Sequence, residues 1–166
     1  TEGDVTIATP AGSQRWWYAN NAGWGIDIST KGAVKLQGLE VSGNYRQSIY
    51  AYSTGAGKLS TLSNLEVHDN GLYSSDEGIQ LKVRGPVTMT NLNVTDNRGT
   101  GVDLDNCDAL WTGSGYKCQG SGAVTLNATS GRENYIANNG GNGLRIYSVG
   151  LVTLSNFHIE NHPAFG

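Results

Sequence analysis

The stretch Gly78-Ile79-Gln80-Leu81-Lys82-Val83-Arg84-Gly85-Pro86-Val87-Thr88-Met89-Thr90-Asn91-Leu92-Asn93-Val94-Thr95-Asp96-Asn97 holds three short runs in which apolar and polar residues alternate. Alternation is the period of a strand with one buried and one wet face. The unit recurs. Its first run appears as Gly25-Ile26-Asp27-Ile28, Ser48-Ile49-Tyr50-Ala51, Gly78-Ile79-Gln80-Leu81, Gly101-Val102-Asp103-Leu104 and Gly143-Leu144-Arg145-Ile146, with starts 23, 30, 23 and 42 residues apart. The second run follows as Val34-Lys35-Leu36, Leu59-Ser60-Thr61-Leu62, Val87-Thr88-Met89, Val124-Thr125-Leu126 and Val152-Thr153-Leu154. The third is Leu39-Glu40-Val41, Leu65-Glu66-Val67, Leu92-Asn93-Val94 and Phe157-His158-Ile159, with Tyr135-Ile136 as a weak counterpart in an irregular fourth repeat.

Each unit closes on asparagine: Asn21, Asn44, Asn70, Asn97, Asn139 and Asn161. Asn tolerates left-handed turns and bonds nearby backbone, so stacked corner residues are expected to form a ladder. Three short strands per turn of about 23 residues, with no helical period between them, predict an all-β parallel helix. Its coils would pair about 4.8 Å apart. About five coils are expected, with a partial one at Val5-Thr6-Ile7.

Composition agrees. Of 166 residues, 24 are Gly and 16 Asn, while 15% are charged, below the usual quarter. A 37% hydrophobic share is too apolar for a disordered linker. Eleven basic against 14 acidic residues leave no basic footprint for nucleic acid. No apolar run reaches the length of a membrane helix, so no membrane partner is expected. The chain starts at Thr1 without a signal peptide, which leaves room for an upstream segment.

On the Gly-Ile/Val/Leu openings and the Asn corners, over roughly residues 23–161, the chain resembles the right-handed parallel β-helix superfamily that includes pectate lyases and polygalacturonases. It is most similar to the non-catalytic carbohydrate-binding modules of that superfamily. The resemblance implies the fold and its hand, and says little about function.

The long spacings mark insertions, which in solenoids become loops on a functional face. One is placed at Gly71 to Glu77 and a larger one at Asn106 to Ser121. The second contains both cysteines, Cys107 and Cys118, whose spacing suggests a disulfide closing a small excursion, and hence an oxidising compartment. A free reduced pair is the alternative. A zinc site would need further ligands.

The outward residues of the first strand form two columns. One reads Asp27, Tyr50, Gln80, Asp103, Arg145; the other reads Ser29, Tyr52, Lys82, Asp105, Tyr147, with Arg84 extending the third coil. The second strand shows mainly Ser and Thr, as a solvated sheet does. The insertions flank the first-strand face and carry Tyr73, Trp111 and Tyr116, and Trp24 and Tyr45 precede first strands on the same rim. Aromatic faces stack on the C–H faces of sugars, and charged groups bond their hydroxyls. A polysaccharide groove is the expectation. The competing expectation is plain sheet stabilisation, with Lys82 beside Asp105 and Asp103 beside Arg145. Trp16-Trp17-Tyr18 either plugs the first coil or covers an open end.

Enzymes resembling this fold work on the same kind of face. A glycosidase needs two opposed carboxyls, whereas Asp103 and Asp105 lie on one strand. Arg145-Ile146-Tyr147 lacks the Lys of a polygalacturonase Arg-Ile-Lys motif, and no His-Gly pair exists. No catalytic residues are therefore assigned. The alternative is a Ca²⁺-dependent lyase, with Asp76, Glu77, Asp103 and Asp105 as oxygen donors and Lys82, Arg84 and Arg145 as base and clamp. No other cofactor is expected.

Residues 1–166 are read as one domain cut from a larger secreted or cell-surface protein, because no polar cap closes its ends. Its predicted role is binding plant cell-wall polysaccharide, xylan or pectin-like, beside an appended catalytic domain. The further alternative is a structural segment of a surface solenoid.

Overall fold

The structure, a computed structural model, describes residues 1–10, 12–72 and 76–163. Each coil is a triangle of short strands. The first described coil supplies β1 (Val5–Ala8) and β2 (Trp16–Ala19); the second, β3 (Ile26–Thr30), β4 (Val34–Gln37) and β5 (Leu39–Ser42). The third supplies β6 (Ile49–Ser53), β7 (Ser60–Ser63) and β8 (Glu66–His68); the fourth, β9 (Ile79–Val83), β10 (Val87–Thr90) and β11 (Asn93–Thr95). The fifth contains β12 (Val102–Asp105), a hairpin of β13 (Ala109–Trp111) and β14 (Tyr116–Cys118), then β15 (Val124–Asn127) and β16 (Asn134–Ala137). The last is β17 (Leu144–Tyr147), β18 (Val152–Leu154) and β19 (Phe157–Glu160).

Like strands stack into three parallel sheets: a first, β3-β6-β9-β12-β17; a second, β1-β4-β7-β10-β15-β18; and a third, β2-β5-β8-β11-β16-β19. This is a parallel β-helix of about six turns. Because equivalent residues pair in register, apolar side chains meet their own kind inside. Ile26, Ile49, Ile79, Val102 and Leu144 form one column; Val41, Val67, Val94, Ile136 and Ile159 form another. Leu36, Leu62, Met89 and Leu126 line the second sheet's inner face at 1% exposure or less. Each buried side chain of this size stabilises by about 1.5–3 kcal/mol relative to exposure.

The asparagine ladder forms on five of the six residues the sequence suggested, Asn161 excepted. Asn21 donates through Nδ2 to Asn44 Oδ1 at 2.7 Å, Asn44 to Asn70 at 2.8 Å, Asn70 to Asn97 at 2.9 Å and Asn97 to Asn139 at 3.0 Å. Each accepting oxygen also takes the backbone N–H of the preceding asparagine, at 3.1–3.3 Å. The left-handed residue is the one before: Asn20 (φ 57°), Gly43 (62°), Asp69 (55°), Asp96 (56°), Asn138 (55°) and Asn161 (57°). Asn161 is thus a corner residue outside the ladder. His162 occupies the sixth ladder position, with Nδ1 3.3 Å from Asn139 O and Nε2 3.2 Å from Ile136 O.

Gly101 shows how tight the corner is. A Cβ there would lie 2.7 Å from both Asn139 Nδ2 and Gly143 O, so a side chain would displace the ladder.

Four expectations need correction. The 30-residue spacing is not absorbed at Gly71–Glu77 alone, since the turn 54–59 between β6 and β7 is longer than its counterparts 31–33 and 84–86. The 42-residue spacing divides between the hairpin segment and a second loop, 128–133. Once that loop is set aside, Tyr135-Ile136 belongs to a full strand, β16, paired with β11 and β19. Trp16-Trp17-Tyr18 lies in β2, in register with Leu39, Glu40 and Val41. Trp17 points outward and donates from Nε1 to Ser42 Oγ at 3.0 Å.

Asn97→Ala removes the acceptor of two buried donors on Asn70 and the donor to Val67 O. It should cost about 2–5 kcal/mol, read as a lower urea midpoint. Thr95→Ala on the neighbouring outer face should stay within about 0.5 kcal/mol.

Candidate functional site

The two outward columns of the first sheet form as the alternation requires. Asp27, Tyr50, Gln80, Asp103 and Arg145 are successive register partners, as are Ser29, Tyr52, Lys82, Asp105 and Tyr147. Their chemistry is more internally engaged than side-chain types alone suggest.

Asp103 is 6% exposed. Arg145 grips it with two parallel bonds, Nε to Oδ1 at 2.9 Å and Nη2 to Oδ2 at 2.8 Å, the bidentate geometry that suits guanidinium and carboxylate. The hydrogen bond to Asp103 holds the Arg145 guanidinium above its ordinary pKa. Glu77 Oε1 lies 3.7 Å from the same Nη2.

Gln80 Nε2 reaches Asp103 Oδ2 at 3.4 Å, and Gln80 Oε1 accepts from Gln47 Nε2 at 2.7 Å. Gln47 Nε2 also approaches Glu77 Oε2 at 3.0 Å, while its Oε1 accepts the indole N–H of Trp24 at 2.8 Å. A polar chain therefore spans five coils, from Trp24 to Arg145. At its ends lie aromatic rings with guanidinium groups nearby: Arg46 5.2 Å from the Trp24 ring and Arg145 5.8 Å from the Tyr147 ring.

The other column is committed differently. Asp105 Oδ1 accepts the backbone N–H groups of Cys107 and Asp108 at 2.9 and 3.0 Å, so it turns the chain into the insertion. Arg84 pairs with Asp108, which holds its guanidinium above the ordinary pKa, with Tyr52 adding to the effect. Lys82 is the register partner of Asp105 but makes no ion pair with it, contrary to the sheet-stabilising expectation.

Cys107 and Cys118 are joined in a disulfide across the base of the β13–β14 hairpin, where Ala109 pairs with Cys118 and Trp111 with Tyr116. The Trp111 and Tyr116 rings meet edge to face at 5.2 Å and stay exposed, at 58% and 79%. The hairpin follows β12, whereas Asp76 and Glu77 precede β9, so the two insertions flank opposite ends of the first strands. Tyr73 lies outside the described residues. Two concavities, near Lys35 and Thr61 and near the loop 128–133, lie on the other faces of the coil.

The suggested calcium donors are each engaged within the chain. Asp76 pairs with Arg46 at 3.4 Å, Glu77 and Asp103 hold Arg145, and Asp105 caps backbone. Among the described residues, no three acidic, His or Cys side chains gather for a metal ion.

Sequence reasoning missed Gln47, the junction of the network, and Arg46 beside it. Both precede the strand opening at Ser48, outside the alternating run that defines the outward columns. It also missed Arg132 and the loop around it, concealed within the long fourth spacing.

Three parallel sheets coiled around a stacked apolar core define the parallel β-helix class. The chain matches the family described as "Right handed beta helix region" over residues 18–166. It belongs to that family, which also fixes the hand of the coil. Comparison with curated proteins and with solved structures finds no match.

Asp103→Asn keeps the side-chain shape and gives up the charge-assisted pair with Arg145. Stability should fall by about 1–3 kcal/mol, seen as a lower urea midpoint at unchanged slope. An unchanged midpoint would show that the network adds nothing to the fold.

Proposed function

We propose that this β-helix is a non-catalytic carbohydrate-binding module that takes plant cell-wall polysaccharide, xylan or pectin-like, along its first sheet. The observation that carries the reading is the placement of Trp24, Tyr50, Tyr52 and Tyr147 on one outer face around an ordered polar network. Strand spacing of about 4.8 Å is close to the advance of one sugar ring in an extended glycan. A chain lying across the strands meets a new coil with nearly every residue.

The roles within the face differ from those the sequence suggested. Aromatic rings supply the contact area, and Asp27 and Lys82 supply polar contacts from the open surface. Gln47, Gln80, Asp103 and Arg145 hold one another, so they act as a rigid platform that loses little freedom on binding. Asp105 and Arg84 anchor the hairpin that brings Trp111 and Tyr116 to the rim.

The disulfide supports a secreted or cell-surface setting, and the module reading carries with it an appended catalytic domain. Calcium-dependent lyase action gains no support from donors engaged by Arg46, Arg145 and backbone N–H groups. A second reading, a structural segment of a surface solenoid, is favoured by one observation: the network satisfies itself without ligand.

Affinity electrophoresis and calorimetry against xylan, polygalacturonate, β-glucan and cellulose test the proposal. Binding to at least one is expected, with Tyr50→Ala and Tyr147→Ala each weakening it about tenfold, or 1.4 kcal/mol. No binding, or binding unchanged in both variants, would favour the structural segment.

A further inference from the structure

The loop 128–133, which separates β15 from β16, shelters a concavity of about 370 Å³ on the outer side of the third sheet. It is remote in the coil from the first-sheet network, and its lining is mostly polar. Arg132, Glu133, Asn91, Asn93 and Tyr135 contribute to it, with Arg15 at the far side.

Most of these groups divide into held and uncommitted. Arg15 is paired with Glu66. Asn91 is fixed twice over: its Nδ2 donates to Asn64 Oδ1 at 2.9 Å, and its Oδ1 accepts the Thr129 N–H at 2.9 Å, which ties down the loop. The Tyr135 hydroxyl donates to Glu160 Oε1 at 2.7 Å. That bond raises the tyrosine's pKa and lowers the glutamate's, and it fixes the ring at the cavity.

Three groups remain uncommitted. Arg132 has a long contact of 3.5 Å to Asn64 Oδ1 and no ion pair among the described residues. Glu133 likewise makes none. Asn93 Oδ1 is buried and has no hydrogen-bond partner, an exception that calls for a physical cause.

We infer that this concavity is a second, independent ligand site that takes a hydroxyl-rich neutral saccharide of one or two rings. A guanidinium, a carboxylate and a carboxamide together offer both donors and acceptors, which vicinal hydroxyls match and a simple anion does not. A fixed tyrosine ring offers an apolar face for the sugar's C–H side. The volume lies within the range of small-ligand sites. Asn93 gains, from a sugar hydroxyl reached by rotation of its amide, the partner it lacks inside the chain. On a polysaccharide, two sites on separate faces of one rod would raise avidity without strengthening either contact.

The test is a titration of the ¹⁵N-labelled chain with cellobiose and, separately, xylobiose, following side-chain signals of Asn93 and Arg132 and the Gly131 amide. Saturable shifts confined to these signals are expected with at least one disaccharide, weakened about tenfold or more in Arg132→Ala and in Asn93→Ala. Because Asn93 makes no internal side-chain hydrogen bond, its alanine variant should fold, and an unchanged melting temperature checks this.

No shift at millimolar disaccharide, or shifts that persist in both variants, would overturn the proposal. So would a response to galacturonate alone that needs Arg132, which would mark an anion site instead. Signals from Gln47 and Trp24 report the first sheet in the same spectra, so failure here and failure of the first-sheet reading are told apart.

Discussion

The carboxamides of the interior ladder residues Asn44, Asn70 and Asn97 each tie a coil to the one before and the one after. The oxygen accepts the backbone N–H and the Nδ2 of the asparagine before it, and the Nδ2 donates to the asparagine after it. A second Nδ2 hydrogen returns to a carbonyl of the preceding coil, as from Asn70 to Val41 O and from Asn97 to Val67 O. These groups are buried, where unmade bonds are costly, so the corner admits one register. Once the register is fixed, every inward column of Ile, Val and Leu and every outward column follows from it. The functional faces are a consequence of this constraint: Asp103 meets Arg145 because the corners hold β12 and β17 in step.

The same constraint decides where the molecule tolerates change. The third-to-first corner keeps its left-handed residue and its ladder position in every described coil, ending with Asn161 and His162. The other two corners hold the long turns at 54–59, the hairpin segment and 128–133. The ladder corner itself is lengthened once, between Asn70 and β9, while the exposed rings of the hairpin and the concavity of the third sheet are found at the two corners without a ladder.

The fold was legible because it rests on period and repetition. Strand alternation gave both outward columns in the correct order, and the Asn corners announced the ladder. What failed was counting: a spacing reports the sum of insertions within a coil and not their positions, so the loop 128–133 was folded into the hairpin and Tyr135-Ile136 looked irregular. Asn161 was placed in the ladder because neighbouring corner and ladder positions both accept Asn, and only backbone φ separates them. Within the candidate site, the Asp103–Arg145 pair could be read from column order. Gln47 could not, because its role depends on reach across coils from a position outside the strand. Nor could Asp105, whose oxygen serves the backbone of a turn that the sequence leaves undrawn.

Native-state hydrogen exchange tests the claim that the ladder governs the fold most directly. The backbone amides of Asn44, Asn70 and Asn97, all donors to the next coil's carboxamide, should exchange only through global unfolding, with protection equal to the full unfolding free energy. The Thr112 amide, bonded to Gly115 O across the exposed hairpin turn, should exchange far faster through local opening. Ladder amides that exchanged as fast as Thr112 would contradict the account, for the corners would then be following the sheets instead of setting their register.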